Sequence, residues 1–447
     1  MECNRKEVKE EEIAENIVGF FRDEKIEKMA RETKFVQRVS RLTGLRFVKI
    51  LVMGFLEKPE GTLNHLAQVG ADCEVRITPQ GIDERINEYS VAFMKAVLGH
   101  AMEWFRQQCP LLLPLLQLFS AIRIVDSSIL PLPAGMEAQY PGAGGSGPQA
   151  SLKIQLVFDF LAGHFEQICI QPGRNPDQSF RDYLQGIQAG ALILADLGYF
   201  CLDSFCAIVK RQAYFLSRYL YPTGILTLAG ERIDLVNWLR NETQNSLDIP
   251  IQLGCQKRHR IPCRLIAMRV PPEVAQERRR KAIEKARTNH KVPSQDYLDL
   301  LAWSLFVTNV PAQLLSIDQI PLFYRLRWQI ELLFKLWKSF AGLNAIGPWR
   351  SDRILTELYA KLIACVLFQF LFAPLRIPDD DWDDRELSFF LSWQICSRSA
   401  QRLTQALSNL SDFIPILSRM FDDFVRFALK QKRVHRPNAL HRLAADP

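Results

Sequence analysis

Two short apolar runs, IRIV at 122–125 and ALILA at 191–195, each end in an aspartate, Asp126 and Asp196. By the two-residue alternation of a strand, Asp126 shares a face with Ile122 and Ile124, and Asp196 with Leu192 and Leu194. A carboxylate at the end of a buried strand loses hydration worth several kcal/mol unless a cation or hydrogen bonds replace it. Taken singly, each aspartate is explained equally well as the cap of the next element. Two of them at equivalent strand ends favour a cation site at the carboxyl edge of one sheet.

The neighbouring segments supply the rest of such a sheet. SLKIQLVFDF (151–160) and FEQICIQ (165–171) read as strands, and AYFLSRYL (213–220) and SLFVTNVP (304–311) as further ones. SFRDYLQGIQAG (179–190) and FCAIVKRQ (205–212) read as helices between them. Three meander-like strands followed by alternating strand and helix predict an α/β domain with a mixed sheet. PAGMEAQYPGAGGSGPQA (133–150) has no Lys-Ser/Thr after its glycines, so it is no phosphate-cradling loop and reads as a mobile connection. Between 219 and 301 the alternation stops: ERIDLVNWL and IPCRLIAMRV read as β-like pieces before a basic helix, EVAQERRRKAIEKAR. A block of different texture inside a sheet domain predicts an inserted subdomain.

Ahead of the sheet, residues 8–105 carry apolar residues at helical spacing. Within them TLNHLAQVGADC and ITPQGIDERINEY, with Thr78 capping a helix that has Pro79 at its first position, suit a helix-turn-helix or a plain helical hairpin.

The segment YRLRWQIELLFKLWKS (324–339) carries a third candidate carboxylate. At roughly 100° per residue, Tyr324, Arg327, Glu331, Lys335 and Lys338 fall within an arc of about 80° on a helix. Leu326, Ile330, Leu333 and Trp337 take the opposite side. A solvated face also gathers charge, but one carboxylate flanked by a phenol, a guanidinium and two ammonium groups suits a metal with phosphates on either side. Three carboxylates around divalent metal suit phosphodiester cleavage, in which two ions activate the attacking oxygen and stabilise the leaving one.

Other chemistries find less support. No Ser-His-Asp or Cys-His arrangement is evident, and none of the seven histidines lies in an H-E-x-x-H pattern. The ten cysteines form no C-x-x-C pair, which argues against structural zinc, and several sit in apolar runs that suit reduced thiols. The N-terminus lacks the apolar core of a secretory signal. The longest uncharged apolar stretch, 362–375, is shorter than the roughly 20 residues a membrane span requires. A soluble, cytoplasmic protein is expected. Its net charge of +7 is compatible with an acidic partner such as nucleic acid.

The spacing Y-x2-R-x3-E-x6-K, met by Tyr324, Arg327, Glu331 and Lys338, resembles the signature of the insertion-sequence-four family of bacterial DDE transposases. VDSS at 125–128 and ADLGYF at 195–200 look like that family's two aspartate motifs, and the likeness runs in order from about 105 to 373. The resemblance implies an RNase H-like catalytic domain in which Asp126, Asp196 and Glu331 ligate two magnesium or manganese ions. It implies that Tyr324, Arg327 and Lys338 contact phosphates near the cut. Lys335 joins them on the same face. Such relatives cut at terminal inverted repeats within a synaptic dimer, pass through a hairpin end and join 3′-hydroxyls to target DNA. Trp303, 21 residues before Tyr324, matches the position at which hairpin-forming relatives stack an everted base, and equally suits a core tryptophan.

The expected organisation is a helical DNA-binding domain (1–106), an RNase H-like α/β domain in two parts (107–218 and 302–375), a β-rich insertion (219–301) and a C-terminal helical region (376–447). Double-stranded DNA and a second copy of the chain are the expected partners, in a bacterial, nucleoid-associated setting and with no membrane. The basic helix at 278–287 and the tail KQKRVHRP (430–437) line a DNA path or form solvated faces, and PDDDWDDRE (378–386) reads as a solvated loop. Two rival functions remain: a catalytically silent, transposase-derived DNA-binding repressor, and a general nuclease on the same fold.

Overall fold

The computed structural model describes residues 3–38, 40–106, 116–145, 147–256, 259–288, 290–375 and 385–431. Six helices come first: α1 (Cys3–Phe20), α2 (Glu24–Glu32), α3 (Gly44–Glu57), α4 (Leu63–Asp72), α5 (Pro79–Arg85) and α6 (Glu88–Trp104). Strands β1 (Ile122–Leu132), β2 (Ala150–Asp159), β3 (His164–Pro172) and β4 (Leu192–Ala195) follow, then α7 (Leu202–Lys210), β5 (Tyr214–Arg218) and β6 (Ile225–Leu226). Next come α8 (Leu235–Asn241), β7 (Ser246–Leu253), β8 (Ile261–Arg269), α9 (Pro272–Thr288), α10 (Gln295–Leu300) and β9 (Trp303–Thr308). The chain continues through α11 (Gln319–Leu326), α12 (Trp328–Ser339), α13 (Ser351–Phe372), α14 (Phe389–Ala406) and α15 (Leu410–Phe427).

The described residues fall into two compact units. One draws on 1–111, 127–175 and 330–437, the other on 112–126 and 176–329. The first unit is helical around a β2–β3 hairpin, with α13 against α3, α6 and β3. Eighteen residues of α13 are buried, which accounts for a helix that is apolar on all sides. By length and composition Ser351–Leu375 could cross a membrane, but 89% of its most apolar window lies inside the protein. That is the setting of a core helix. Thr78 caps α5 by accepting from Gly81 N, with Pro79 at the first position.

The second unit is a sheet. The first residues of β1 run parallel to β4, β4 parallel to β5, and then β9, β8, β7 and β6 add antiparallel. Because β1 continues beyond Asp126 to Leu132, all nine strands join in the order β3-β2-β1-β4-β5-β9-β8-β7-β6, a mixed sheet. Residues 122–125 and 192–195 are all buried, as strands with both faces covered must be.

Three sequence expectations change. Residues 179–190 form short 3-10 turns (Asp177–Ser179, Asp182–Leu184) in place of a helix, because Gly186 and Gly190 take positive φ of 64° and 79°. ERIDLVNWL yields the helix α8: Asp234 accepts from Asn237 N as its cap, and Leu235, Val236 and Leu239 make its buried face. Asp126 stands within a long strand, not at its last residue. Among the described residues, eight cysteines form no disulfide, and burial pushes the Cys396 thiol up to about 12. The acidic segment 378–384 and the basic tail from 432 lie outside the described residues.

Phe215 on β5 is 1% exposed and stacked on Phe205 of α7 at 4.3 Å. Phe215→Ala is therefore expected to destabilise the sheet unit by about 3–5 kcal/mol, read from the urea midpoint at unchanged slope.

Candidate active site

Strand register brings the two sequence-predicted aspartates together. Val125 is the partner of Ala195 across the parallel β1–β4 pair, and Asp126 and Asp196 are the next residue on each strand. Neighbouring strands lie about 4.8 Å apart and equivalent residues face the same way, so the two carboxylates stand side by side. Asp196 closes β4 and opens the 3-10 turn Leu197–Tyr199, which leaves its side chain 49% exposed against 16% for Asp126.

A single guanidinium serves both. Arg327 Nη1 donates to Asp126 Oδ2 at 3.0 Å, and its Nε lies 4.0 Å from Asp196 Oδ1. Two carboxylates this close repel unless a positive group sits near them. Arg327 supplies that charge. Hard, oxygen-only donors on rigid neighbouring strands are also the ligand chemistry that magnesium and manganese prefer, so the pair fits a divalent ion.

The segment 324–339 is two helices rather than one. Arg327 is the C-cap of α11, with its amide bonded to Tyr324 O at 3.2 Å, and α12 starts at Trp328. The backbone of Arg327 stays helical (φ −53°, ψ −32°), so the helical phase passes through the interrupted hydrogen-bond ladder. Leu326, Ile330, Leu333 and Trp337 are buried, on the side opposite the polar stripe, as expected.

Tyr324 packs edge-on against Phe306 at 5.3 Å, with Arg218 and Arg327 6.0 and 5.8 Å from its ring centre. Its buried hydroxyl makes no hydrogen bond among the described residues. Burial raises its pKa, with Arg327 opposing, so the group stays a phenol able to donate. Glu331, in the first turn of α12, is half-buried and belongs to the helical unit together with Lys335 and Lys338. Lys335 is exposed, its ammonium 5.5 Å over the Phe390 ring. Lys338 is half-buried, and desolvation lowers its pKa.

Trp303 has the surroundings of a core residue. It is 5% exposed, and the Arg269 guanidinium covers its ring at 4.3 Å. The basic helix α9 spends much of its charge nearby. Arg278 donates to Trp303 O and Ser304 Oγ, Arg279 to Leu298 O, and Arg280 pairs with Glu277 and Glu284. Arg218, which lies over both Phe306 and Tyr324, escaped the sequence reading. Only the strand phase of SRYL could have hinted at it.

Adjacent parallel strands carrying paired aspartates, in a sheet whose first five strands run β3-β2-β1-β4-β5, define an RNase H-like α/β protein. The model of the transposase DDE domain matches residues 117–367, more than half of the chain, and the chain belongs to that family of enzymes of DNA cleavage and strand transfer. Relatives agree with the motif resemblance. The transposase for insertion sequence element IS231F of Bacillus thuringiensis subsp. israelensis is 28% identical over 92% of this chain and 90% of its own. That for insertion sequence element IS1151 of Clostridium perfringens is 27% identical over 96% and 95%. Among solved structures, the cryo-EM piggyBac transposase synaptic complex with hairpin DNA superposes with a TM-score of 0.51 at 11% identity, over 94% of this chain and 85% of that one, a likeness of fold.

Replacing Arg327 with alanine leaves the largely buried Asp126 beside Asp196 without the shared cation. The expected loss is about 3 kcal/mol, with Asp126→Asn in the same background restoring part of it. Chemical denaturation of the single and double variants in metal-free buffer measures both effects.

Proposed function

We propose that Asp126, Asp196 and Glu331 are the metal-binding catalytic carboxylates of this transposase. The substrate is the pair of terminal inverted repeats of its element, which it cuts before joining the 3′-hydroxyl ends to target DNA. The observation that carries the proposal is the β1–β4 register, which sets Asp126 and Asp196 side by side with one guanidinium reaching both. Glu331 follows from the four-residue spacing after Arg327 and from its half-buried place in the first turn of α12.

Two magnesium or manganese ions bound by these carboxylates would supply an activated attacking oxygen and stabilise the departing 3′-oxygen. The chain's own groups do the positioning. Tyr324, held as a neutral phenol by burial, donates its unused hydrogen bond to a phosphate oxygen. Arg327, aligned by Asp126, brings its positive charge to the same phosphodiester. Desolvation lowers the pKa of the half-buried Lys338, and an adjacent phosphate would act in the opposite direction by favouring its ammonium form. Lys335, exposed on the same stripe, steers the neighbouring phosphate.

The reaction proceeds through a hairpin end within a synaptic dimer of the chain on double-stranded DNA, in the bacterial cytoplasm. Trp303, covered by Arg269, is a weaker aromatic platform for an everted base than its spacing implied.

In a cleavage assay on inverted-repeat DNA with magnesium, Asp126→Ala, Asp196→Ala and Glu331→Ala are each expected to retain end binding. Nicking should fall on the order of 10³-fold or more, the scale of several kcal/mol of lost transition-state stabilisation. Nicking at the wild-type rate by any one of them removes that residue from the triad. Tyr324→Phe should slow cleavage by roughly tenfold, the worth of one hydrogen bond to a charged oxygen. A denaturing gel of end-labelled product reads the hairpin as a closed species of doubled strand length.

A further inference from the structure

A second cluster of metal-ligand type lies on the β2–β3 hairpin of the helical unit. Asp159, His164 and Glu166 each offer one ligand atom, and the three atoms lie within 4.8 Å of one another. The backbone explains the convergence. Asp159 and His164 are cross-strand partners at the mouth of the turn. The register then shifts between Val157 and Phe158, which pair with Gln167 and Phe165, so Glu166 is the extra residue of a bulge. A bulge re-aims a side chain, and this one brings the Glu166 carboxylate to the His164 imidazole.

The ligands are held rather than loose. Asp159 is 8% exposed, and its Oδ1 accepts from Leu161 N at 2.9 Å and Ala162 N at 3.1 Å, which fixes the carboxylate plane. Gly163, at φ +77°, turns its carbonyl to Gln369 Nε2 of α13 at 2.7 Å. Phe165 packs edge-on against Trp337 at 5.2 Å and anchors the strand.

A second observation points to a ligand. Gln369 is 2% exposed and shares with His164, Phe165, Phe105 and Met102 the lining of one cavity. Its bond to a carbonyl identifies Nε2 as the donor, and its Oε1 is buried with no hydrogen-bond partner. A buried carbonyl oxygen in that state is unfavourable unless a donor or cation meets it. Two carboxylates and one imidazole whose ligand atoms converge this closely offer the donor set that a divalent transition metal takes.

We infer that Asp159, His164 and Glu166 form a divalent transition-metal site that fastens the β2–β3 hairpin, and that zinc is its natural occupant. One imidazole with two carboxylates is a mixed nitrogen and oxygen set. It favours zinc over magnesium, the reverse of the oxygen-only chemistry of Asp126 and Asp196.

Cobalt(II) is the probe. Full-length protein stripped by a chelator is titrated with cobalt in a large excess of magnesium, and bound metal is read from the visible d–d band and by elemental quantification. The wild type and an Asp126→Asn, Asp196→Asn double variant should each bind one equivalent. His164→Gln and Glu166→Gln should bind at least about 100-fold more weakly, since even the outer partners of metal ligands are worth about 10–100-fold. Zinc should displace the cobalt and raise the melting temperature of the first two proteins only. Cobalt affinity unchanged in both hairpin variants, or loss of the equivalent in the aspartate double variant, overturns the site. Glu166 is half-exposed on the edge strand β3, so its variant keeps the test decisive should His164→Gln fail to fold.

Discussion

Repulsion between neighbouring acids is the constraint around which the sheet unit is arranged. Parallel register makes Asp126 and Asp196 immediate neighbours, and only a positive group in reach of both allows two charged carboxylates to stay there. Arg327 is such a group, and much around it serves to hold it. It sits where α11 yields to α12, so its backbone is fixed by helix on both sides. Tyr324 beneath it is wedged against Phe306 of β9, and β9 is tied to β5 through Thr308 Oγ1 and the Asn309 side chain. Strand pairing, helix packing and charge thus point to the same arrangement.

Much of this was legible in the chain because each signal was short-ranged and strong. Two apolar runs closed by aspartate could be little other than buried strands, and the apolar positions Leu326, Ile330, Leu333 and Trp337 are buried as their spacing required. What a single sequence could not carry was the context deciding between equal local options. ERIDLVNWL alternates well enough for a strand, yet Asp234 as a cap and three apolar residues at helical spacing make it α8. SFRDYLQGIQAG has helical spacing, but its two glycines adopt backbone angles that end any helix. Trp303 sat at a suggestive distance from Tyr324, and only the fold brings Arg269 over its ring.

The Asp159, His164 and Glu166 cluster was invisible for a different reason. The turn decides whether Asp159 meets His164, and the bulge whether Glu166 joins them, and neither is written in a spacing rule. Seven histidines without an H-E-x-x-H pattern gave no reason to single out this one. Cross-strand pairing brings ligands together that helical motifs would keep at fixed intervals along the chain.

The burial of α13 bears on how the protein is made. Residues 351–375 leave the ribosome as an apolar cylinder after α3 and α6 exist but before α14, which also packs against it, has been translated. Until then one flank lacks its cover and resembles a nascent membrane anchor to whatever inspects it. Copies interrupted by a frameshift just past residue 375 would expose that flank permanently and become clients of chaperones and proteases.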